Sequence, residues 1–312
     1  MNKKTIITTM ALLLLITACV TTSKPTQQAA LSENYRTGNQ GLRLTFVTNT
    51  PPARVFDTDE LNAVIEVENL GAYSTKGVAD KIYLSGFDPA IITGIKTTGE
   101  SIPPLEGKTA YTQKGTTDRV AFKGIPTMLS AKKIDKYPIK LLATACYEYE
   151  TIASTSICID PNPYSTTITQ KACTPTNPSV GGGQGGPVAV TGIQLEPAPG
   201  MTRLTITITN TGGGEAFKPG LSTLQKCSPY TQGLEFDEIN MVQVYDISLP
   251  GYSIINSCRP LDQGNVRLVN NKATIYCEIN TQGQSTYTTP LTIRLGYGYR
   301  STIFKDTQLV SI

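Results

Sequence analysis

The stretch NAVIEVENLGAY, residues 62–73, shows the pattern from which the fold class follows. Its apolar side chains recur at every second position, as at Ala63, Ile65 and Val67. Residues two apart on an extended chain lie on one face, so this alternation predicts a half-buried β-strand. The Asn-x-Gly sequence at 69–71 supplies residues that favour a turn directly after the strand.

The same pattern returns in the second half of the chain as TRLTITITNTGGGEA, residues 202–216. Apolar residues stand two, four and six positions before Asn210, as they do before Asn69, and x-Gly follows each Asn. Self-similarity of this kind indicates a duplicated structural module. The composition agrees, because Val, Ile and Thr favour strands and the many Gly and Pro residues favour turns.

A pair of tyrosines is a second point of similarity between the halves. Tyr147-x-Tyr149 lies in IKLLATACYEYET and Tyr297-x-Tyr299 lies in LTIRLGYGYRST, and both stretches alternate like strands. Such tyrosines either stack on sugars or fill the core or rim of a sandwich. Their apolar neighbours on the same face favour the core or rim.

The composition excludes several kinds of chemistry. The 312 residues include no His, which removes Ser-His-Asp and Cys-His mechanisms and His-ligated metal sites. The formal net charge is +3 and no Lys/Arg cluster stands out, so nucleic acid is not an expected partner. We therefore expect no catalytic residue, no metal and no cofactor, and we predict that the chain is not an enzyme.

Two groups of carboxylates are the remaining candidates for chemistry. Asp57, Asp59 and Glu60 could bind Ca²⁺ through oxygen ligands, or could belong to a solvated loop. Glu148 and Glu150 lie about 7 Å apart along a strand, which suits either an inverting glycosidase or an exposed strand face. No Ca²⁺-loop spacing accompanies the first group, and alternating Glu is common on exposed strands, so we favour the non-catalytic interpretation of both.

The N-terminus has the pattern of an export signal. Two lysines precede an apolar stretch at 6–18, which is shorter than the ~20 residues that a membrane-spanning helix needs. The ending ITAC, with its cysteine at Cys19, resembles the lipobox of secreted lipoproteins. This resemblance implies that residues 1–18 are removed and that Cys19 is lipid-modified; an ordinary signal peptide and an uncleaved anchor are the alternatives.

Six further cysteines form an even set in a chain that is predicted to be exported, and disulfides are the default for such a set. A zinc site is the alternative, but the sequence holds no C-x-x-C pair. A hairpin whose turn lies at 152–154 would place the first two cysteines opposite each other. Other connectivities stay open, and the working hypotheses are the pairs Cys146–Cys158, Cys173–Cys227 and Cys258–Cys277.

The Gly-rich stretch GGGQGG at 181–186 has the composition of a flexible linker and separates the two similar halves. Residues 96–136 are polar and are expected to form long loops. The predicted organisation is a signal peptide (1–18), a disordered tether (19–41), a first β-sandwich domain (42–160), a linker (161–187) and a second β-sandwich domain (188–312).

The strand followed by Asn-x-Gly, with short strands and turns at regular spacing, resembles the CARDB-like and Ig-like β-sandwiches of archaeal and bacterial surface proteins. The whole layout, with its Gly-Gln-Gly-rich join, is also similar to exported archaeal proteins. The resemblance implies an all-β fold of two tandem Ig-like (CARDB-like) domains and an extracytoplasmic location. It implies no reaction, because one fold serves many functions.

The function expected from these features is that of a non-catalytic, lipid-anchored protein at the outer face of the membrane in the cell envelope. It would display two Ig-like domains for adhesion, binding or envelope structure, with a surface protein or a glycan as partner. The alternatives are a carbohydrate-binding or carbohydrate-processing lipoprotein and an accessory lipoprotein of a secretion or transport complex.

Overall fold

The computed structural model describes residues 35–77, 79–165 and 171–312. The predicted signal peptide at 1–18, the lipidation site at Cys19 and the tether up to residue 34 lie outside the described residues. Asn34–Ile312 form one compact unit. No helix in the described ranges has both the length and the apolar character that crossing a membrane requires.

Nearly all regular structure in this part of the chain is β-strand. The strands of the first half are β1 (Leu42–Phe46), β2 (Arg54–Phe56), β3 (Leu61–Asn69), β4 (Lys81–Ser85), β5 (Ile92–Thr93), β6 (Glu100–Ser101), β7 (Thr117–Pro126) and β8 (Lys136–Ile159). Those of the second half are β9 (Val188–Ala198), β10 (Met201–Asn210), β11 (Glu215–Phe217), β12 (Met241–Leu249), β13 (Tyr252–Ser253), β14 (Asn265–Arg267), β15 (Lys272–Asn280) and β16 (Tyr287–Val310). The short helix α1 (Leu221–Lys226) and the 3-10 turns Ser130–Lys132 and Ile255–Ser257 accompany them.

The strands form a large central sheet and two smaller sheets. The central sheet has the order β13-β12-β16-β8-β4-β6, with β2 and β11 also pairing with β16, and β14 pairing with β12. The smaller sheets have the orders β1-β3-β7-β5 and β15-β10-β9. Almost every pairing is antiparallel, the exception being β2 with β16. The prediction of an all-β protein is therefore confirmed.

The alternation of apolar residues at 62–73 places one face of β3 in the core. Ala63, Ile65 and Val67 are fully buried, and the residues between them are partly exposed. β10 shows the same alternation of buried and partly exposed residues over its length. Burying a Val or Ile side chain contributes about 1.5–3 kcal/mol, so these two strands are a large part of the apolar core.

Two long strands join the halves. β8 and β16 each contain 24 residues, and they pair antiparallel along their whole length, from Lys136 opposite Val310 to Ile159 opposite Tyr287. The predicted hairpin turn at 152–154 is therefore wrong, because β8 continues straight through it. Residues 96–136, expected as long loops, also hold the ten-residue strand β7.

The pairing of β8 with β16 has an approximate two-fold symmetry. Tyr147 lies opposite Tyr299, and Tyr149 lies opposite Tyr297. In the repeat, Tyr147 corresponds to Tyr297 and Tyr149 corresponds to Tyr299. Exchanging the two halves therefore turns one of these pairs into the other and leaves the register unchanged. An approximate two-fold axis thus passes through the central pair of Glu148 and Gly298, as in the self-complementary interface of a symmetric dimer.

Each long strand serves both halves of the molecule. Residues 142–146 of β8 pair with β4, whereas further along the strand Thr151 forms a hydrogen bond with the Tyr297 hydroxyl at 2.7 Å. The end of β16 in turn pairs with β2, and the hydroxyl of Thr307 donates to the carbonyl of Pro52 at 2.7 Å. At about 3.4 Å per residue, each strand is roughly 80 Å long and spans both halves.

The Gly-rich stretch is packed at its C-terminal end. Residues 184–187 are buried, and Gln184 bonds β9 by accepting from Val190 N–H at 2.9 Å and donating to its carbonyl at 3.0 Å. A side chain on Gly186 would collide with Thr151 and the hydroxyl of Tyr297. This part of the predicted linker therefore belongs to the core.

Three disulfides hold the fold, and one of the predicted pairings is confirmed. Cys258–Cys277 forms as expected, but the hypotheses Cys146–Cys158 and Cys173–Cys227 are wrong. Two cysteines twelve residues apart on one continuous strand are roughly 40 Å apart, far beyond the Cα separation of a disulfide. The observed bridges are Cys146–Cys227, Cys158–Cys173 and Cys258–Cys277, with Cα separations of 6.1, 5.9 and 4.1 Å.

These bridges bear on both location and architecture. Stable disulfides form in oxidising compartments, so the three bridges indicate an extracytoplasmic environment. Cys146 and Cys227 are 1% exposed and link β8 of the first half to the residue that follows α1 of the second. The other cysteine of β8, Cys158, is buried as well.

Candidate functional site

The tyrosine cluster lies on the inner face of β8 and β16. Its members are at most 2% exposed, and neighbouring ring centroids lie 5.9–6.4 Å apart. Those distances suit tilted and edge-to-face aromatic contacts. The cluster consists of Tyr147, Tyr149, Tyr297 and Tyr299.

A hydrogen-bond node joins the second tyrosine of each motif to the Asn of the Asn-x-Gly turn. In the first half, Tyr149 donates to Asn69 Oδ1 at 2.9 Å. The same Oδ1 accepts from Gly71 N–H at 3.1 Å, and Asn69 Nδ2 donates to the carbonyl of Tyr73 at 2.7 Å. The Asn side chain thereby closes the turn and attaches it to β8.

The second half repeats this node group by group. Tyr299 donates to Asn210 Oδ1 at 3.1 Å, Gly212 N–H donates to the same oxygen at 3.3 Å, and Asn210 Nδ2 donates to the carbonyl of Gly214 at 2.8 Å. The two sequence motifs are therefore the two halves of one contact. Alternation alone could not reveal this contact, because the Asn and the Tyr are 80 and 89 residues apart.

The first tyrosine of each motif accepts a bond from the start of a strand. Leu42 N–H, at the beginning of β1, donates to Tyr147 Oη at 3.2 Å. Val188 N–H, at the beginning of β9, donates to Tyr297 Oη at 3.3 Å. Burial raises the pKa of all four phenols in the cluster. These hydroxyls are thus uncharged structural groups, and the prediction that the tyrosines belong to the core or rim is confirmed.

The carboxylates at 57–60 have separate structural partners. Asp57 is buried, and its Oδ2 accepts from Leu129 N–H at 2.8 Å. Glu60 forms an ion pair with Lys123 at 3.6 Å, and Asp59 is exposed. Over the described residues, no group of three His, Cys, Asp or Glu side chains is arranged to hold a metal ion. The solvated-loop interpretation therefore fails for Asp57, which ties β2 to the 3-10 turn after β7.

Glu148 and Glu150 lie on the outer side of the central sheet. Glu150 forms an ion pair with Arg294 of β16 at 3.1 Å. Tyr73 lies close to both carboxylates, and burial, followed by the charges of Glu150 and Glu148, raises its pKa to about 12. A general acid and base would need a substrate site between the two carboxyl groups, and an ion pair with a neighbouring strand occupies one of them instead.

A cavity of about 380 Å³ lies where the first half meets the second, and we call it the junction cleft. One wall comes from β4 and the loop before β6, and the other from α1 and the loop that follows it. No sequence motif indicates this cleft, since its two walls meet only in the folded chain. Its principal lining residues are Tyr83, Thr97, Thr98, Leu224, Ser228 and Tyr230.

Two contacts hold the walls of the junction cleft together. The disulfide Cys146–Cys227 attaches the end of α1 to β8, directly beside β4. Tyr230 donates its hydroxyl proton to the carbonyl of Leu84 at 2.5 Å. Burial raises the pKa of the Tyr83 and Tyr230 phenols, so both stay uncharged at neutral pH.

No family model matches this chain, and a search of the curated proteins finds no relative.

Proposed function

We propose that this chain is a non-catalytic, lipid-anchored protein of the cell surface that presents two Ig-like (CARDB-like) modules as one rigid body for adhesion, binding or envelope structure. The observation that supports this proposal is the repeated node of Tyr149 with Asn69 and of Tyr299 with Asn210. The Tyr and Asn side chains that recur in both halves of the sequence thus attach the Asn-x-Gly turn of each half to β8 or β16.

The carboxylates support the same proposal. Asp57 accepts backbone N–H groups and Glu150 pairs with Arg294, so these groups are used in holding strands and loops. A rigid body with its polar groups committed internally suits recognition of a partner by shape, because little conformational freedom is lost on binding.

The anchor follows from the lipobox resemblance at Cys19. The disulfides indicate an oxidising environment, which agrees with export. Each buried CH₂ of an acyl chain contributes about 0.8 kcal/mol, and stable attachment takes more than one chain. An acylated Cys19 would hold the body at the membrane and leave both modules outside.

Intact-mass analysis of the protein extracted from membranes of its native host tests this proposal. We expect a mature chain that begins at Cys19 and carries acyl groups, together with loss of acylation and of membrane association in Cys19→Ala. The three disulfides should be present in both forms, which controls for correct export and folding. An unmodified mass in wild-type protein recovered from the soluble fraction would contradict the lipid anchor.

A further inference from the structure

We propose that the junction cleft is a binding site for an uncharged saccharide. This inference deepens the proposed function by naming the class of ligand. It rests on that function only for the location, the cell surface, at which the protein would meet the ligand. It is carried by the size of the cleft, the side chains that line it, the charges around it and the contacts that hold it open.

The cleft has the dimensions of a small-ligand site. Its volume of about 380 Å³ falls within the ~300–1,000 Å³ typical of such pockets. A smaller cavity of about 70 Å³ adjoins it and shares Ala79 and Leu224 as lining residues. Two lengths of chain that are distant in sequence enclose the site, so the ligand would contact both halves of the protein.

The lining combines aromatic surface with hydroxyl groups. The partly exposed ring of Tyr230 and the exposed side chain of Leu221 supply apolar surface, against which the C–H face of a sugar ring can pack. Hydroxyls of exposed residues, which both donate and accept hydrogen bonds, come from Thr97 and Thr98, and the exposed Gln225 adds an amide. The hydroxyls of Ser228 and Thr231 already bond backbone groups of their own loop. A ligand that presents many hydroxyls and apolar C–H faces together matches this lining better than a purely apolar one.

The charges around the cleft favour an uncharged ligand. Among the described residues that line it, Lys81 is the charged one, and its ammonium group donates to the carbonyl of Thr98 at 2.9 Å. Asp80 and Glu148 line the adjoining cavity together with Lys76. Lys76 and Lys81 balance these two carboxylates in charge, so an acidic sugar would lose the hydration of its own carboxylate without a net positive charge to replace it.

The walls are held in place before any ligand arrives. The disulfide Cys146–Cys227 and the bond from Tyr230 to the carbonyl of Leu84 fix α1 and its following loop against β4. Leu224 and Cys227 also pack with Tyr83 and Phe217 in one buried cluster. A preformed site loses less conformational entropy on binding, which favours recognition of a small ligand.

Two other large surface cavities are less suited to such a ligand. One, of about 600 Å³, is lined by charged residues that include Lys218, Asp237 and Asp262. The other, of about 570 Å³, carries Arg203, Glu278 and further charges on the outer face of the β15-β10-β9 sheet. Both cavities are lined by residues of the second half, and the 600 Å³ cavity provides a control site.

The test is isothermal titration of the detergent-solubilised full chain with neutral oligosaccharides of glucose, mannose, galactose and N-acetylglucosamine. Uronic-acid and sialylated oligosaccharides form a matched acidic set. We expect at least one neutral series to bind and the acidic set to bind at least tenfold more weakly. Binding of no neutral oligosaccharide, or equal binding of the acidic set, would overturn the proposal.

Variants then locate the site. Thr98→Trp and Leu221→Trp fill the cleft from opposite walls, and both positions are exposed, so each variant should fold. We expect either change to raise the dissociation constant at least tenfold. Val269→Trp, at an exposed residue of the 600 Å³ cavity, is the matched control and should bind like wild type. Wild-type affinity in both cleft variants would refute the site.

The two proposals fail separately. Saccharide titration of the solubilised chain does not depend on whether Cys19 is acylated, and the intact mass does not depend on ligand binding. A soluble, unmodified protein that binds neutral sugar would refute the anchor alone. An acylated protein that binds none would refute the cleft alone.

Discussion

Tyr149 of β8 lies directly opposite Tyr297 of β16, with ring centroids 6.4 Å apart. Each belongs to the same Tyr-x-Tyr motif in its own half of the chain, and the two motifs meet across the approximate two-fold axis. The centre of the molecule is therefore a contact between two copies of one sequence pattern. The residues that make the halves similar are also those that join them.

Removal of the tyrosine hydroxyl from either node should destabilise the protein by a similar amount. We expect Tyr149→Phe and Tyr299→Phe each to lower the free energy of unfolding by about 1–3 kcal/mol, because the buried Asn loses a hydrogen-bond donor. Urea unfolding measures the loss. Tyr276→Phe, at a residue that is 58% exposed, is the control and should change stability little. An unchanged midpoint in both node variants would show that the node is not stabilising.

The glycine of the first Asn-x-Gly turn should not tolerate a side chain. A Cβ on Gly71 would overlap the Tyr149 hydroxyl and the carbonyl oxygen of Gly185. We expect Gly71→Ala to cost about 1–3 kcal/mol or more of unfolding free energy, as overpacking of a core does. Gly192→Ala is the matched control, because its nearest neighbour, Thr207, lies at an ordinary contact distance of 3.8 Å. Equal thermal midpoints for the two variants would contradict the expected close approach.

The disulfide between the halves should contribute more to the free energy of unfolding than the disulfide within the first half and its following segment. Cys146 and Cys227 are 81 residues apart in sequence, whereas Cys158 and Cys173 are 15 apart. Loop-closure entropy predicts losses of about 4.5 and about 3 kcal/mol when these bridges are removed by paired Cys→Ser changes. Denaturant unfolding of the two double variants gives the order. Non-reducing peptide mapping of the wild type checks the connectivity, and a Cys146–Cys158 peptide would contradict the fold.

Alkaline pH should weaken the protein through its buried phenols. The folded state raises the pKa of Tyr73 from 10.0 to about 12, mainly by burial, with the charges of Glu150 and Glu148 adding to the effect. Between these values the folded chain binds more protons than the unfolded chain, so stability is complete below pH 10 and falls as pH rises towards 12.

Urea unfolding at a series of pH values between about 8 and 11 measures this decline. Tyr73→Phe should make it shallower, since one of the phenols that titrates with a raised pKa is absent. Phenolate absorbance should meanwhile show the buried tyrosine cluster ionising only when the chain unfolds. A Tyr73→Phe variant whose stability falls as steeply as that of wild type would contradict the assigned shift.

Two predictions that the structure overturned had a contrary signal in the sequence. Residues 152–154 are Ile, Ala and Ser and contain no Gly, Pro, Asn or Asp, which argues against a tight turn there. β7 likewise shows alternation at Val120 and Phe122, within a stretch expected to form loops. In both cases the local pattern favoured a strand, and the expectation of a hairpin or a loop was wrong.

What the sequence determined by itself is local in origin. Alternating apolar residues produce β3 and β10 because an extended chain turns every second side chain to one face. An even number of cysteines, apart from Cys19, is enough to predict disulfides but not their pairing, because proximity in sequence pairs Cys258 with Cys277 correctly and Cys146 with Cys158 wrongly.

Only the tertiary structure decided which distant segments meet. The register of β8 on β16, the bonds from Asn69 and Asn210 to their tyrosines, and the bridge Cys146–Cys227 all join residues about 80 or more positions apart. Such contacts depend on which strand edges and faces remain to be covered once the local elements have formed. The junction cleft exists for the same reason, since its two walls are neighbours only after β8 has paired with β16.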